Sequence, residues 1–117
     1  MNQDSIVDLS MLKTISGGSE SMMKVFISSF ITSAEPSIAD LEKALSANDW
    51  KLMKKAAHTY KPQINYMGIK AITGTIQRLE DSAASETNLD EIPTMVAQIK
   101  EVSLRALAEL KQHIEQM

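Results

Sequence analysis

The sequence predicts an all-α protein, an up-and-down antiparallel four-helix bundle with a short extra N-terminal helix. Leu, Ile, Met and Ala dominate its 117 residues, whereas aromatic residues, Gly and Pro are few, and this composition favours helices. Apolar residues recur at steps of three and four along most of the chain. The connections between these amphipathic segments are short, which favours antiparallel neighbours. We expect residues 1–117 to form one domain.

Two helices are predicted in the first part of the chain. In "DLSMLKTISGG", Asp8 is the predicted N-cap of a short helix that stops at Gly17 and Gly18. Ser19 caps a longer second helix, in which Pro36 marks a kink or a restart. Its buried stripe is Met23, Phe26, Ile27, Phe30, Ile31, Ala34, Ile38, Leu41 and Leu45.

The third helix follows "SAND", with Asn48 or Asp49 as its N-cap. One narrow apolar stripe runs along it: Trp50, Met53, Ala57, Tyr60, Ile64 and Met67. Because this stripe is unbroken, we expect one kinked but continuous helix through Pro62. Gly68 ends or bends it.

Two further helices complete the bundle. The fourth carries the stripe Ile69, Ile72, Ile76, Leu79 and Ala83, and "SAASETN" is its predicted exit loop. Asp90 is the expected N-cap of the last helix, which places Pro93 at the third helical position, where an N–H would have no partner. The last stripe is Ile92, Val96, Ile99, Val102, Ala106, Leu110 and Ile114.

Composition excludes several classes of function. The absence of Cys removes disulfides and thiolate chemistry and fits a reducing cytoplasm. We expect neither a cleaved leader nor a membrane span, because no apolar stretch approaches the ~20 residues that a transmembrane helix needs. A net charge of −3 is unfavourable for nucleic-acid binding, which calls for a basic domain.

His58 stands out on the third helix, because helical spacing places it opposite the apolar stripe. Its face also carries Lys51, Lys54, Lys55, Lys61, Pro62 and Asn65. A solvated face is the plain interpretation, but a proline and a glycine at fixed distances from the histidine favour a functional site. A neutral imidazole is a nucleophile, and the neighbouring lysines would stabilise a phosphoryl group on it.

The stretch "AAHTYKPQINYMGIKAITGTIQRLE" resembles the histidine-containing phosphotransfer domain, and the similarity extends upstream through "ALSANDWKLMKKAAH" and "DLSMLKTISGG". That family has a His, a hydrophobic residue two on, Lys three on, a small residue four on and Gly ten on. These positions are His58, Tyr60, Lys61, Pro62 and Gly68 here. The chain departs from the family at Pro62, where glycine is commonest, and at Tyr60, where leucine is usual. Both departures bear on partner choice.

The resemblance implies a phosphorelay shuttle, monomeric and without ATP binding or kinase activity of its own. Receiver domains of response regulators or hybrid histidine kinases would exchange a phosphoryl group with His58. We expect Lys61 and Lys54 to stabilise the phosphorylated state and Gln77 or Glu80, on the fourth helix, to orient the imidazole. The expected docking surface is Lys55, Pro62, Asn65 and Gly68.

Two alternatives remain open. A histidine-kinase dimerisation hairpin also has a phosphorylated His near a Pro, but its motif has an acidic residue after the His and the Pro five on, whereas this chain has Thr59 and Pro62. A receiver-binding scaffold that carries no phosphate is the other. We expect no metal or other cofactor, because His113 is the only further histidine and neither has ligands at metal spacing.

Overall fold

The computed structural model describes residues 5–117 as an all-helical bundle, which confirms the predicted fold class. Four long helices follow one short one. A 3₁₀ turn, Leu89–Glu91, precedes the last helix. The helices are α1 (Ser10–Ile15), α2 (Glu20–Ser46), α3 (Trp50–Tyr66), α4 (Lys70–Ser85) and α5 (Ile92–Glu115).

Each long helix packs against two others around a shared apolar core. α3 lies between α2 and α4, and α5 closes the ring by packing against the same two helices. The predicted stripes supply most of this core, since their apolar residues are buried or packed against buried neighbours. Within residues 5–117 no helix is both apolar and long enough to cross a membrane.

α1 begins at Ser10 and has Leu9 as its N-cap, so the prediction that Asp8 caps it is wrong by one residue. The Asp8 carboxylate still accepts the Ser10 backbone N–H at 3.0 Å, because a short acidic side chain at a helix start offers an acceptor for the unpaired amides. Gly17 and Gly18 end the helix with φ of 63° and 80°, as predicted.

α2 begins after Ser19, whose Oγ accepts the Met22 N–H at 3.3 Å, as predicted. The helix contains Pro36 without interruption, so the predicted alternative of a restart there is wrong. Burial of Ala34 and Ile38 on either side of the proline keeps the backbone on one helical path, because leaving it would expose both side chains.

α3 begins after Asp49, whose carboxylate accepts the Leu52 N–H at 3.0 Å. This contact selects Asp49 over Asn48 as the N-cap. The helix continues through Pro62 to Tyr66, as the unbroken stripe predicted. Gly68 follows with φ of 61°, and a side chain at this position would collide with the backbone carbonyl of Asp8.

α4 extends to Ser85, so the prediction that "SAASETN" is a loop is wrong for its first four residues. Ser82 and Ala83 are buried in the bundle, and that packing outweighs the weak helix propensity of the serines. The chain leaves the helix at Glu86 and turns again at Asn88, both with φ of 52°.

Asp90 was expected to cap the last helix, and this expectation is wrong. Asp90 lies inside the 3₁₀ turn, and α5 starts at Ile92 with Glu91 as its N-cap and no side-chain capping bond. Asn88, whose φ of 52° is left-handed, precedes the 3₁₀ turn. Helical backbone therefore begins at Leu89, one residue before Asp90. Pro93 therefore occupies the second helical position instead of the third, where its missing N–H is equally harmless.

Tyr60 is fully buried and belongs to the core. Its ring stacks on Phe30 with centroids 6.2 Å apart, and its hydroxyl donates to Oγ of Ser103 on α5 at 2.9 Å. Burial raises the pKa of the phenol. This side chain does not reach the surface, so the departure from the family's usual leucine lies in the core.

Candidate functional site

His58 lies near the middle of α3, opposite the buried stripe, with 70% of its side chain exposed. The buried residues Ala57 and Tyr60 flank it in sequence. They hold the helix by its apolar face, so His58 projects from the opposite side. The backbone around the histidine is therefore fixed by packing while its ring remains accessible.

Glu80 on α4 provides the direct partner of this histidine. Its Oε2 lies 2.7 Å from Nδ1 of His58, and its Oε1 accepts from Nζ of Lys61 at 2.7 Å. The Glu80 side chain is only 13% exposed. One carboxylate thus joins the histidine and the lysine that follows it one turn later.

The protonation state of Glu80 determines what the histidine can do. The hydrogen bond from Lys61 lowers the pKa of the Glu80 carboxyl, the hydrogen bond from His58 lowers it further, and burial opposes both. Glu80 is therefore a carboxylate at neutral pH and can only accept. The proton in this contact therefore belongs to Nδ1 of His58, and a ring that carries no second proton has its free lone pair on Nε2.

Gln77, the other candidate for orienting the imidazole, is directed elsewhere. Its Oε1 accepts from Nζ of Lys61 at 3.2 Å, and its Nε2 donates to Oδ1 of Asp81 at 3.0 Å. Lys61 thus has two acceptors on α4, and its side chain is 24% exposed. The structure brings Gln77 to the lysine and Glu80 to the histidine.

The remaining lysines of the α3 face are exposed. Lys51, Lys54 and Lys55 precede His58 by about two turns and one turn, and none of them forms an ion pair within residues 5–117. Lys54 shares the lysine-rich face with His58 but makes no hydrogen bond to Glu80.

The predicted docking residues after His58 divide into two groups. Pro62 and Asn65 are exposed on the same face as the histidine. Gly68 lies past the end of α3, where Asp8 donates its N–H to the Met67 carbonyl at 3.1 Å and covers the glycine. Gly68 therefore serves the turn between α3 and α4, and we leave it out of the docking surface.

A shallow groove beside this face escaped the sequence analysis. It lies between α2 and α3, encloses about 160 Å³ and is lined by Phe26, Ser29, Phe30, Gln63, Tyr66 and Met67. The Phe26 and Tyr66 rings meet at its edge with centroids 5.9 Å apart, and Gln63 accepts from the Ser33 hydroxyl. Val25, an apolar residue outside the predicted stripe of α2, lies one turn before Ser29 of this groove and is 68% exposed.

No group of three or more metal-ligating side chains occurs in the part of the chain that the structure describes. His113 is exposed in the last turn of α5, on a different helix from His58. The arrangement around His58 is instead that of a nucleophile: an exposed imidazole nitrogen, a carboxylate on the opposite ring nitrogen, and cations nearby.

Comparisons with known proteins agree with this chemistry. The family model described as Hpt domain matches residues 25–117. The crystal structure of histidine-containing phosphotransfer protein B (HptB) from Pseudomonas aeruginosa PAO1 has the same fold, with a TM-score of 0.86 and 23% sequence identity over 98% of this chain and 99% of that one. A search of curated proteins gave no match. The chain belongs to the Hpt domain family, and it is a histidine phosphotransfer protein of two-component phosphorelays.

Proposed function

We propose that this chain carries a phosphoryl group between receiver domains on Nε2 of His58. The observation that supports this assignment is the 2.7 Å contact between Glu80 and Nδ1 of a histidine whose side chain is 70% exposed. Receivers of response regulators or hybrid histidine kinases, which the family uses, are the proposed donors and acceptors.

The transfer needs no proton to be removed from the histidine. The Nε2 lone pair of the neutral imidazole attacks the phosphorus of an aspartyl phosphate on the receiver. The N–P bond forms as the P–O bond to the aspartate breaks, and the aspartate departs as a carboxylate. The product is an N-phosphorylated imidazolium that keeps its Nδ1 proton. The Glu80 carboxylate, in hydrogen-bond contact with that nitrogen, stabilises the new positive charge.

The lysines act on the phosphoryl oxygens in this proposal. Lys61 shares the Glu80 carboxylate with His58, so its ammonium lies beside the ring. Lys54 is exposed one turn before His58. Phosphoryl transfer depends chiefly on positioning and charge neutralisation, and both lysines can approach a group on Nε2 without rearrangement of the helix.

The rest of the proposal concerns what the chain does not do by itself. We propose a monomeric phosphocarrier of the cytoplasm with no kinase activity of its own, since the phosphoryl group comes from the receiver. The histidine-kinase dimerisation hairpin is the less favoured interpretation, because Thr59 replaces the acidic residue that such a hairpin has after its histidine.

Labelling by phosphorylated receiver domains tests the proposal. A panel of purified receivers charged with ³²P should transfer an acid-labile, base-stable label to the parent chain. His58→Gln should abolish it, and the matched variant His113→Gln should retain it. Label that persists on His58→Gln would move the site elsewhere. If phosphorylated receivers bind the parent chain but transfer no label to it, the chain would instead be a receiver-binding scaffold that carries no phosphate.

A further inference from the structure

His58 lies at a boundary between two unlike halves of the α3 face. The half before it, which we call the cationic half, consists of Lys51, Lys54 and Lys55, all exposed. The half after it, the uncharged half, consists of Pro62, Asn65 and the adjoining groove between α2 and α3. Lys61 lies at the α4 edge of the same stretch, where its charge is paired with Glu80. Each half extends roughly 10 Å from the histidine, since a helix rises about 1.5 Å per residue.

The cationic half has little compensating charge around it. None of its three lysines is in an ion pair within the described residues. Asp40 of α2 lines a separate groove of about 280 Å³ with Lys55, but the two are not within salt-bridge distance. Asp81 of α4 accepts from Gln77. Three lysines therefore remain available to a partner.

The uncharged half continues onto α2. Because α2 and α3 are antiparallel, the N-terminal half of α2 lies beside the C-terminal half of α3, as the Phe26 and Tyr66 rings show. Val25 precedes Ser29 of the groove by one turn and is 68% exposed, and Met22, one turn before Phe26, is 48% exposed. This side offers apolar contact and no formal charge.

We propose that the two halves set the orientation of a docked receiver domain, with an acidic edge of the receiver over the cationic half and an apolar edge over the uncharged half. The inference rests on the proposed function, because it places the receiver over His58. Opposite charge accelerates the encounter and suppresses wrong orientations. The apolar contact acts at short range and holds the complex once it has formed. The specificity of this chain for receivers then depends on how a receiver distributes charge around its phosphorylated aspartate.

Charge reversal and ionic strength separate the two contributions. Lys51→Glu and Lys55→Glu together should slow transfer from a receiver about tenfold or more in dilute salt; Lys54 stays unchanged because it is proposed to act on the phosphoryl oxygens. The deficit should shrink at high salt, because charges are screened over about 10 Å at 0.1 M. The matched control reverses the exposed lysines Lys13 and Lys111 of other helices, with the same change in net charge. Equal losses in the two double variants would contradict the proposal.

The uncharged half needs a test that salt does not affect. Val25→Gln should slow transfer severalfold at every ionic strength, whereas Leu104→Gln, at an apolar position of α5 that is 40% exposed, should not. Phosphoramidate, a small donor that phosphorylates histidine directly, should label all of these variants like the parent. Failure of the parent itself to take label from either donor would refute the His58 assignment, whereas loss in a variant with receivers alone concerns docking. A Val25→Gln variant as fast as the parent would contradict the apolar contact.

Cross-linking tests the orientation itself. The chain contains no cysteine, so single cysteines replacing Lys51 and Asn65 can carry a photoactivatable cross-linker without background. If the receiver docks in one fixed orientation, the two cross-linkers should capture different receiver peptides. The cross-linker at position 51 should capture an acidic peptide and the one at position 65 an apolar peptide. Capture of the same peptides from both positions would show that the receiver has no fixed orientation and would overturn the proposal.

Discussion

Glu80 of α4 places one carboxylate oxygen 2.7 Å from Nδ1 of His58 on α3. The contact joins the two helices across the exposed edge of the bundle and determines which ring nitrogen carries the proton. The other oxygen of the same carboxylate accepts from Lys61. The orientation of the imidazole and the position of the Lys61 ammonium therefore both depend on this one carboxylate.

Replacing Glu80 should change the tautomer of His58 and the rate of transfer together. Glu80→Ala removes the acceptor, so the Nδ1 proton is no longer fixed. We expect transfer to slow roughly tenfold, because a hydrogen bond to a charged group contributes about 1.5 kcal/mol and about 1.4 kcal/mol is tenfold in rate. Glu80→Gln keeps an acceptor oxygen and should fall in between. Nitrogen-15 NMR of the ring reports the tautomer, and unchanged spectra in Glu80→Ala would contradict this role.

Glu80 should also make stability depend on pH. Its carboxyl pKa lies below the ordinary 4.5, chiefly through Lys61, so the folded protein binds fewer protons than the unfolded chain. The stabilisation is complete above the unfolded pKa and disappears as the pH falls through the folded pKa. We expect the free energy of unfolding of the parent to exceed that of Glu80→Gln by about 1 kcal/mol at neutral pH. Urea unfolding from about pH 7 to pH 3 measures the difference, which should vanish in acid; a constant difference would refute the linkage.

Lys61→Ala should slow transfer or shorten the lifetime of the phosphohistidine without unfolding the protein. Lys61 is 24% exposed, so the loss should be worth about 1 kcal/mol or less. Lys61→Arg should restore part of it. Lys54→Ala is the comparison within the same face, because Lys54 has no hydrogen bond to Glu80. If rate and lifetime both match the parent in Lys61→Ala, the lysine has no charge role.

Gly68→Ala should destabilise the protein by about 2 kcal/mol or more. Its φ of 61° is unfavourable for alanine, and the new Cβ would meet the carbonyl of Asp8. Gly74→Ala is the matched control, since this helical glycine has only the end of the Arg78 side chain nearby, at 3.5 Å, and should gain about 0.5–1 kcal/mol. Thermal unfolding distinguishes them, and equal stability of both variants would contradict the packing argument.

Pro62 should tolerate small residues and reject large ones. It is exposed one turn after His58, so Pro62→Gly should transfer at nearly the parent rate while Pro62→Arg and Pro62→Trp should be strongly inhibited. Ala108→Trp, at an exposed position of α5, controls for bulk alone. Circular dichroism should show an intact fold in each. Equal transfer by the bulky Pro62 variants would mean that receivers dock elsewhere.

Local rules determined much of this protein directly from its sequence. The apolar stripes at helical spacing predicted the four long helices, the four-helix bundle and most of the buried residues, because burial of one helical face depends on residues three and four apart. Ser19 was identifiable as a cap, and the cap of the third helix was narrowed to Asn48 or Asp49, of which the structure has Asp49, because a cap acts on its own next turn. The exposure of His58 followed from the same geometry.

Only the tertiary structure decided which residues from different parts of the chain are in contact. Whether Glu80 or Gln77 contacts His58 depends on the register of α4 against α3. A shift of α4 by three residues would exchange the two side chains, and no local sequence pattern determines this register. The position of Gly68 beneath Asp8 likewise requires the chain to return to its own start. Packing also moved boundaries, since α4 extends through Ser82 and Ala83 because the bundle buries them. Sequence spacing fixes the direction of a side chain from its own helix, whereas its partner depends on how separate helices pack together.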